Sequence, residues 1–257
     1  MDRSVDYDQV ASEYDDRYKR SDYGPVLRLL LDFAGDAATA RILEVGCGTG
    51  QWLSELAKRG FRTCGLDPSR GMLGVARFKA LQAPVVQARA EAMPWGAQTF
   101  NRLFCINSLH HFADQERFFV EAGRLLDHGG GVLIVGLDPH NGRDRWWIFD
   151  YFPQVIEIDR KRYPSTGQIR DRLTAHGFTY CRTVVALHMP VRMPARAALE
   201  SGRLGKSTTS QLSVLSDDEY RAGISRLVSD IEAAEAAGKT LSIGADLRLY
   251  ATTGWIR

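Results

Sequence analysis

Apolar positions in the first half of the chain fall into two alternating rhythms. Short continuous runs at 41–45 (RILEV), 61–67 (FRTCGLD), 84–88 (PVVQA), 102–107 (RLFCIN) and 130–137 (GGVLIVGL) have the length of buried strands. Between them, apolar residues recur at helical spacing over 24–34, 51–59, 69–81 and 118–126. The punctuation agrees with this reading. Gly60 ends one helix, Ser69 caps the next, and a His128–Gly129–Gly130 turn closes the last. Residues 4–20 predict a short helix that packs over something else. Strands alternating with helices in this way predict an α/β fold with a doubly wound, mostly parallel sheet. In such sheets ligands bind outside the carboxyl ends of the strands, near the switch point. Glu44, Asp67, Arg89 to Glu91 and Asn107 all fall at those ends.

Beyond residue 138 the rhythm changes. Residues 139–153 are rich in aromatics after a turn-like start, 167–178 read as a helix, and 179–189 and 246–256 as a sixth and a seventh strand. About 190–245 is longer than an ordinary connection and contains a helical stretch at 217–237, so it predicts a helical cap insertion over the site. The expected organisation is one domain over 1–257, with N-terminal helices to residue 40, a ligand-binding core over 41–138 and a substrate-side half over 139–257.

The run LEVGCGTG, Leu43 to Gly50, holds the densest chemistry. Glycines at alternating positions after a strand permit a tight turn and let a ligand approach the backbone without Cβ interference. Glu44 beside them disfavours a pyrophosphate and favours a ligand with a cationic part. S-adenosylmethionine satisfies that requirement.

Bulk composition narrows the class further. Hydrophobic residues make up 44% and charged residues 25%, as in an ordinary globular protein. A net charge of +2, with no basic run interleaved with aromatics, argues against nucleic acid or an anionic membrane as partner. The polar, acidic N-terminus and the lack of a spanning apolar stretch predict a cytoplasmic protein, monomer or homodimer. Cys47, Cys64, Cys105 and Cys181 lie far apart without a Cys-x-x-Cys pair, so no metal site is expected.

VGCGTG, GLDPS, AEAMPW, NSLHHF and GRLLDHGGGVLIV, in this order and spacing over about residues 5–138, resemble the class I S-adenosylmethionine-dependent methyltransferases. The likeness is to the small-molecule enzymes of the ubiquinone/menaquinone-biosynthesis type. It implies a Rossmann-like fold with a seven-stranded sheet, and S-adenosyl-L-methionine as cofactor, leaving S-adenosyl-L-homocysteine. It also implies that Gly46, Cys47, Gly48 and Gly50 surround the methionine part, with Glu44 near its amino group. Asp67 would accept both ribose hydroxyls, with Pro68 beside it and Met72 or Leu73 flanking the adenine; helix capping is the alternative reading of Asp67. Ala90 and Glu91 would present backbone groups to the adenine, Asn107 would reach the methionine part, and Tyr14, with Tyr7 as a second candidate, would line the mouth.

One position departs from the family pattern. Arg89 stands where relatives usually place an aspartate that accepts the adenine amino group, and arginine has no acceptor. A backbone carbonyl or Gln87 could replace it, or binding is weaker. His110 and His111 are candidate general bases, although either could instead be packed or solvated; as neighbours they are expected to point in different directions. The aromatic cluster Trp146, Trp147, Phe149, Tyr151 and Phe152 reads equally as an aromatic or apolar acceptor pocket or as a packed helix. Arg143, Arg145, Arg160, Lys161 and Arg162 could receive an acidic substrate or form a solvated face. The function expected is methyl transfer to a small-molecule acceptor by in-line displacement. Two alternatives stay open: a non-catalytic binding module, and an NAD-dependent oxidoreductase, which the missing G-x-G-x-x-G spacing disfavours.

Overall fold

A computed structural model describes residues 7–11, 14–15, 18, 21–79 and 83–257. Two compact units emerge. The larger holds the described chain through Asp138, together with Pro164–Leu187 and Leu249–Arg257; the smaller holds Pro139–Tyr163 and His188–Arg248.

In the larger unit, five strands run parallel: β1 (Arg41–Val45), β2 (Arg62–Asp67), β3 (Val85–Gln87), β4 (Phe100–Ile106) and β5 (Leu126–Gly136). Two long strands, β7 (Phe178–Pro194) and β8 (Ser242–Ile256), of which residues 178–187 and 249–256 belong to this unit, extend the sheet, which runs β3-β2-β1-β4-β5-β8, with β7 paired to β8. β8 is antiparallel to β5. Since β1 pairs with β2 on one side and β4 on the other, the winding reverses there and opens a crevice at the carboxyl ends of β1 and β4. The helices are α1 (Tyr7–Val10), α2 (Gly24–Ala34), α3 (Gln51–Ala57), α4 (Arg70–Lys79), α5 (Gln115–Leu125) and α8 (Thr166–Ala175).

The continuous apolar run of β5 is buried from Gly130 to Val135 because a parallel strand inside the sheet is covered on both faces. Leu43, Leu103, Phe118, Phe119, Val132 and Leu173 form the centre of that core. Several expected boundaries shift. β5 begins at Leu126, directly after α5, because Leu126 pairs with Phe100 before a register shift carries the strand past Gly129 (φ +76°). Ser69 does cap α4, its Oγ accepting the Met72 N–H at 3.0 Å. Of the helix expected over 4–20, Tyr7–Val10 is formed and Tyr18 is helical, while residues 4–6, 12–13, 16–17 and 19–20 lie outside the described ones. So do residues 80–82, at the expected end of α4. No helix among the described residues is long and apolar enough to cross a membrane.

The smaller unit contains β6 (Arg145–Trp146), α6 (Trp147–Tyr151), α7 (Gln154–Arg162), α9 (Ala195–Glu200), α10 (Ser210–Ser213) and α11 (Asp217–Ala236). β6 pairs antiparallel with β8 at Asp246 and Ala245, so the sheet has eight strands among the described residues where seven were expected. Two residues are too few to leave a periodic signal, and the turn-like start at 139 hides them. A capping box between Ser216 and Glu219 starts α11.

The aromatic cluster resolves toward packing. Phe152 is fully buried, Trp147 nearly so, and both join Ile148, Val155, Leu227 and Ile231 in a separate core, with Trp146, Phe149 and Tyr151 packed against it. Two of the five basic residues nearby are engaged locally: Arg160 pairs with Glu157 and Arg162 with the buried Asp159. Phe152 stacks on Tyr220 with ring centroids 6.1 Å apart. This requires glycine at position 223, where a Cβ would lie 2.0 Å from the Phe152 ring. Gly223→Ala should therefore destabilise this unit by about 1–3 kcal/mol through overpacking, although alanine is the better helix former. Denaturant unfolding followed by tryptophan fluorescence should show an earlier transition.

Candidate cofactor site

Three loops converge at the carboxyl ends of β1, β2 and β4. After β1, the Gly46 and Cys47 amides both donate to the Leu66 carbonyl, at 2.8 and 2.9 Å. Gly46 adopts φ +73°, and a Cβ there would lie 2.6 Å from the Ser108 Cβ, so only glycine fits. Gly50, also at positive φ, turns the chain into α3. After β4, Asn107 takes φ +54°, a left-handed conformation that asparagine tolerates better than most residues, and its amide donates to the Val135 carbonyl at 2.8 Å. The Ser108 hydroxyl donates to the Val45 carbonyl at 2.9 Å, tying this turn to the glycine loop.

Asp67 joins the loops after β1 and β2. Its Oδ2 accepts the Gly48 amide and its Oδ1 the Ser69 amide, each at 2.9 Å. The plain capping reading of Asp67 thus describes one of its oxygens. Both still have lone pairs to offer. Burial holds its carboxyl above the usual range, against the two amides that pull it down.

Glu44 is 1% exposed, and its Oε2 has no hydrogen-bond partner. Burial first, and the Asp67 charge second, push its carboxyl well above the ordinary value; the Leu53 amide and Lys79 pull weakly the other way. The Trp52 indole Nε1, on α3, is likewise buried without a partner. The Cys47 thiol is driven up by burial and by Glu44 and Asp67, which makes it an inert neighbour rather than a nucleophile.

A cavity of about 80 Å³ lies at these loops. Tyr14, Glu44, Gly46, Cys47, Gly48, Asp67, Pro68, Met72 and Asn107 line it, all of them expected from the sequence. Gly50, Ala90 and Glu91 are outside its lining; Ala90 is buried in the main core. Tyr7, the second candidate tyrosine, lines it too, and Tyr18, Trp52, Ile106 and Phe112 do so without having been singled out as ligands. Trp52 carried a readable signal, an aromatic one residue into the helix behind the glycine loop. Tyr18 did not, because acidic neighbours bring its segment here. Asp8 accepts from the Ser69 hydroxyl and the Gly71 amide, at 2.6 and 2.7 Å, and Asp15 from Thr49 Oγ1 and Lys79 Nζ, each at 2.5 Å.

The two histidines separate. His111 lines the cavity, and its Nε2 meets the Tyr7 hydroxyl at 2.5 Å. His110 is buried and lies outside the lining. Their rings do not point apart as expected. The centroids are 3.9 Å from each other at a tilt of 45°, because a tight 3-10 turn over Leu109–His111 folds the rings together. At the departing position, Arg89 is exposed, and the Gln87 amide nitrogen donates to the Pro68 carbonyl at 3.0 Å. Gln87 therefore supports the Asp67 turn.

A family model described as a methyltransferase domain matches residues 43–134. An uncharacterized methyltransferase of Synechocystis is 33% identical over 144 residues, 55% of this chain and 68% of that protein. The chain belongs to the class I S-adenosylmethionine-dependent methyltransferases. A ubiquinone biosynthesis O-methyltransferase of Vibrio cholerae is 31% identical over 120 residues, 44% of this chain and 48% of the relative, so the chain spans about half that protein's length. A demethylmenaquinone methyltransferase of Thermus thermophilus is 30% identical over 142 residues, 52% of this chain and 64% of the relative. Among solved structures, a putative methyltransferase from an antibiotic biosynthesis pathway of Anabaena variabilis has a TM-score of 0.66 at 21% identity, covering 88% of this chain and 96% of that one. The [4+2]-cyclase SpnF shares the fold at a TM-score of 0.57 and 19% identity, over 90% of this chain and 79% of that one. The fold alone therefore names no reaction.

The residues present suit the methyltransferase cofactor. A buried, unpartnered carboxylate oxygen offers an acceptor for a cation, a buried indole N–H offers a donor, and Asp67 offers acceptors for a diol. Glu44→Gln tests the first of these. Because the folded chain raises the Glu44 pKa, the stability that goes with its proton is complete below the unfolded value, near 4.5, and is lost as pH rises through the folded value. The variant should match the parent near pH 4, melt at a higher temperature near pH 8, and bind S-adenosylmethionine about tenfold or more weakly at neutral pH. Calorimetric melting and titration across that range give both readings.

Proposed function

We propose that this methyltransferase-family chain transfers a methyl group from S-adenosylmethionine to a small aromatic or apolar acceptor. The observation that carries the reading is the pairing, in one cavity, of the Glu44 carboxyl, whose Oε2 has no partner, with the pinned Asp67 carboxylate. When bound, the cofactor supplies an electrophilic methyl on a sulfonium. Asp67 receives the ribose hydroxyls; charge-assisted bonds of this kind are worth about 1.5–3 kcal/mol each. Glu44 accepts from the amino group, and Trp52 Nε1 donates to the carboxylate. Backbone of the 88–95 loop receives the adenine. This loop leaves β3 next to Asp67, with which Gln87 is in register, and the Ala88 amide donates to the Asp67 carbonyl at 3.3 Å.

His111 is the proposed base. Its ring reaches the cavity, its Nε2 is paired with the Tyr7 hydroxyl, and a neutral imidazole nitrogen can accept a proton. It would take the proton from an acceptor hydroxyl as that oxygen bonds to the methyl carbon and the carbon–sulfur bond breaks, its electron pair staying on sulfur in S-adenosylhomocysteine. Much of the rate would come from alignment and exclusion of water, which three tyrosines around the cavity favour. Small-molecule acceptors fit the near-neutral charge of +2, and the relatives named for ubiquinone biosynthesis and demethylmenaquinone methylation support an aromatic one.

Methyl-labelled cofactor incubated with a library of phenols, enols and amines tests the reading. Label is expected in an aromatic hydroxyl compound. Cofactor binding without transfer to any class would make the chain a binding module, and binding of NAD instead would overturn the assignment. With an acceptor in hand, His111→Ala should lower kcat by about 10²–10⁴-fold while changing the cofactor Kd only slightly, and His110→Asn, which alters the ring packed against His111, should lower kcat far less. Equal losses in both variants would remove His111 from the role.

A further inference from the structure

The 88–95 loop is gripped from behind by a charged pair that lies outside the lining of the cofactor cavity. Glu121 and Arg124 lie one turn apart on α5, joined by Arg124 Nε to Glu121 Oε1 and Arg124 Nη2 to Glu121 Oε2, both at 2.7 Å. Together they take up three backbone groups of the loop. Glu121 Oε2 accepts the Met93 amide at 2.9 Å, Arg124 Nη2 donates to the Met93 carbonyl at 3.0 Å, and Arg124 Nη1 donates to the Trp95 carbonyl at 2.7 Å. The Glu121 side chain is only 6% exposed. The Arg124 hydrogen bonds, and then the Met93 amide, hold its carboxyl below the ordinary range despite burial, so the pair is charged across the working pH range.

The rest of the loop is held on both flanks. Ala90 and Met93 are buried in the main core, and Trp95 packs edge-on against Phe100, their centroids 5.4 Å apart. Nearer the start of α5, the Asp114 amide donates to Glu91 Oε1 at 3.1 Å. Apolar burial fixes where the loop lies, but it does not fix the rotation of its peptide groups. Directional hydrogen bonds do that, and bidentate charged ones do it best. A lysine ammonium, with three donors and no planar fork, cannot make all four of these bonds at once.

We propose that Glu121 and Arg124 are a positioning pair that sets the orientation of the loop's peptide groups, and so the enzyme's discrimination for the adenine base. The proposal rests on the reading that this loop receives the adenine. It also accounts for Arg89: where the chain lacks an acidic acceptor for the 6-amino group, backbone carbonyls must carry base recognition, and their orientation then matters more.

The test compares two product-like ligands on the same preparation. These are S-adenosylhomocysteine and S-inosylhomocysteine, in which an oxo group replaces the 6-amino group. The ratio of their dissociation constants is independent of the fraction of folded protein, so a loss of stability alone leaves it unchanged. The parent chain should prefer the adenosyl ligand, and Arg124→Lys and Glu121→Gln should each reduce that preference about tenfold, with Glu121→Asp recovering part of it. A parent preference that survives in both variants would overturn the positioning role and leave the adenine reading standing. A parent that binds both ligands equally would overturn the adenine reading and the pair's role with it.

Discussion

One carboxylate organises the cofactor end of the larger unit. Asp67 receives an amide from the glycine loop and another from the turn that starts α4, while its own carbonyl receives the Ala88 amide from the loop behind β3. Three loops that follow three different strands are thus referenced to one residue at the end of β2. Each amide would otherwise be a buried or half-buried donor without a partner, and such groups cost about 1–3 kcal/mol. The same two oxygens keep lone pairs for a ligand diol. Structural satisfaction and ligand recognition therefore draw on one group, which explains why capping and binding readings of Asp67 are compatible.

Glu44 shows the opposite balance. Its carboxyl is buried beside Asp67 with one oxygen unsatisfied, an arrangement that disfavours the charged form and lowers the stability of the ligand-free chain above its unfolded pKa. A core position chosen for stability would be apolar. The neighbouring Trp52 Nε1 is unsatisfied as well, so an acceptor and a donor wait in the same cavity. A zwitterionic amino-acid moiety matches that pair. The proposed cofactor reading gains weight from this local cost, because residues that break local rules tend to cluster at functional sites.

The strands were legible because their apolar runs are dictated by burial on both sheet faces, and the glycine loop because positive φ and close approach leave few alternatives to glycine. Edges were less clear. The two residues of β6 and the early start of β5 depend on which partner strand is within reach, not on any local pattern. The aromatic stretch from Trp146 to Phe152 was ambiguous for a related reason. Core and pocket both select large apolar rings, and only packing around Gly223 and Tyr220 distinguishes them.

By itself the sequence determined the α/β alternation, the glycine turn and the two acids at the ends of β1 and β2, all through short-range rules of backbone conformation and burial. Tertiary structure alone decided what those residues face. It set His111 but not His110 in the cavity lining, brought Tyr18 and Trp52 to the cavity, and placed Glu121 and Arg124 behind the 88–95 loop. The bonds from that pair to the loop join positions 28 to 31 residues apart, and the Tyr7–His111 bond joins positions 104 apart. Hydrogen bonds and ring contacts act over a few ångströms of space, and separation along the chain carries no trace of them.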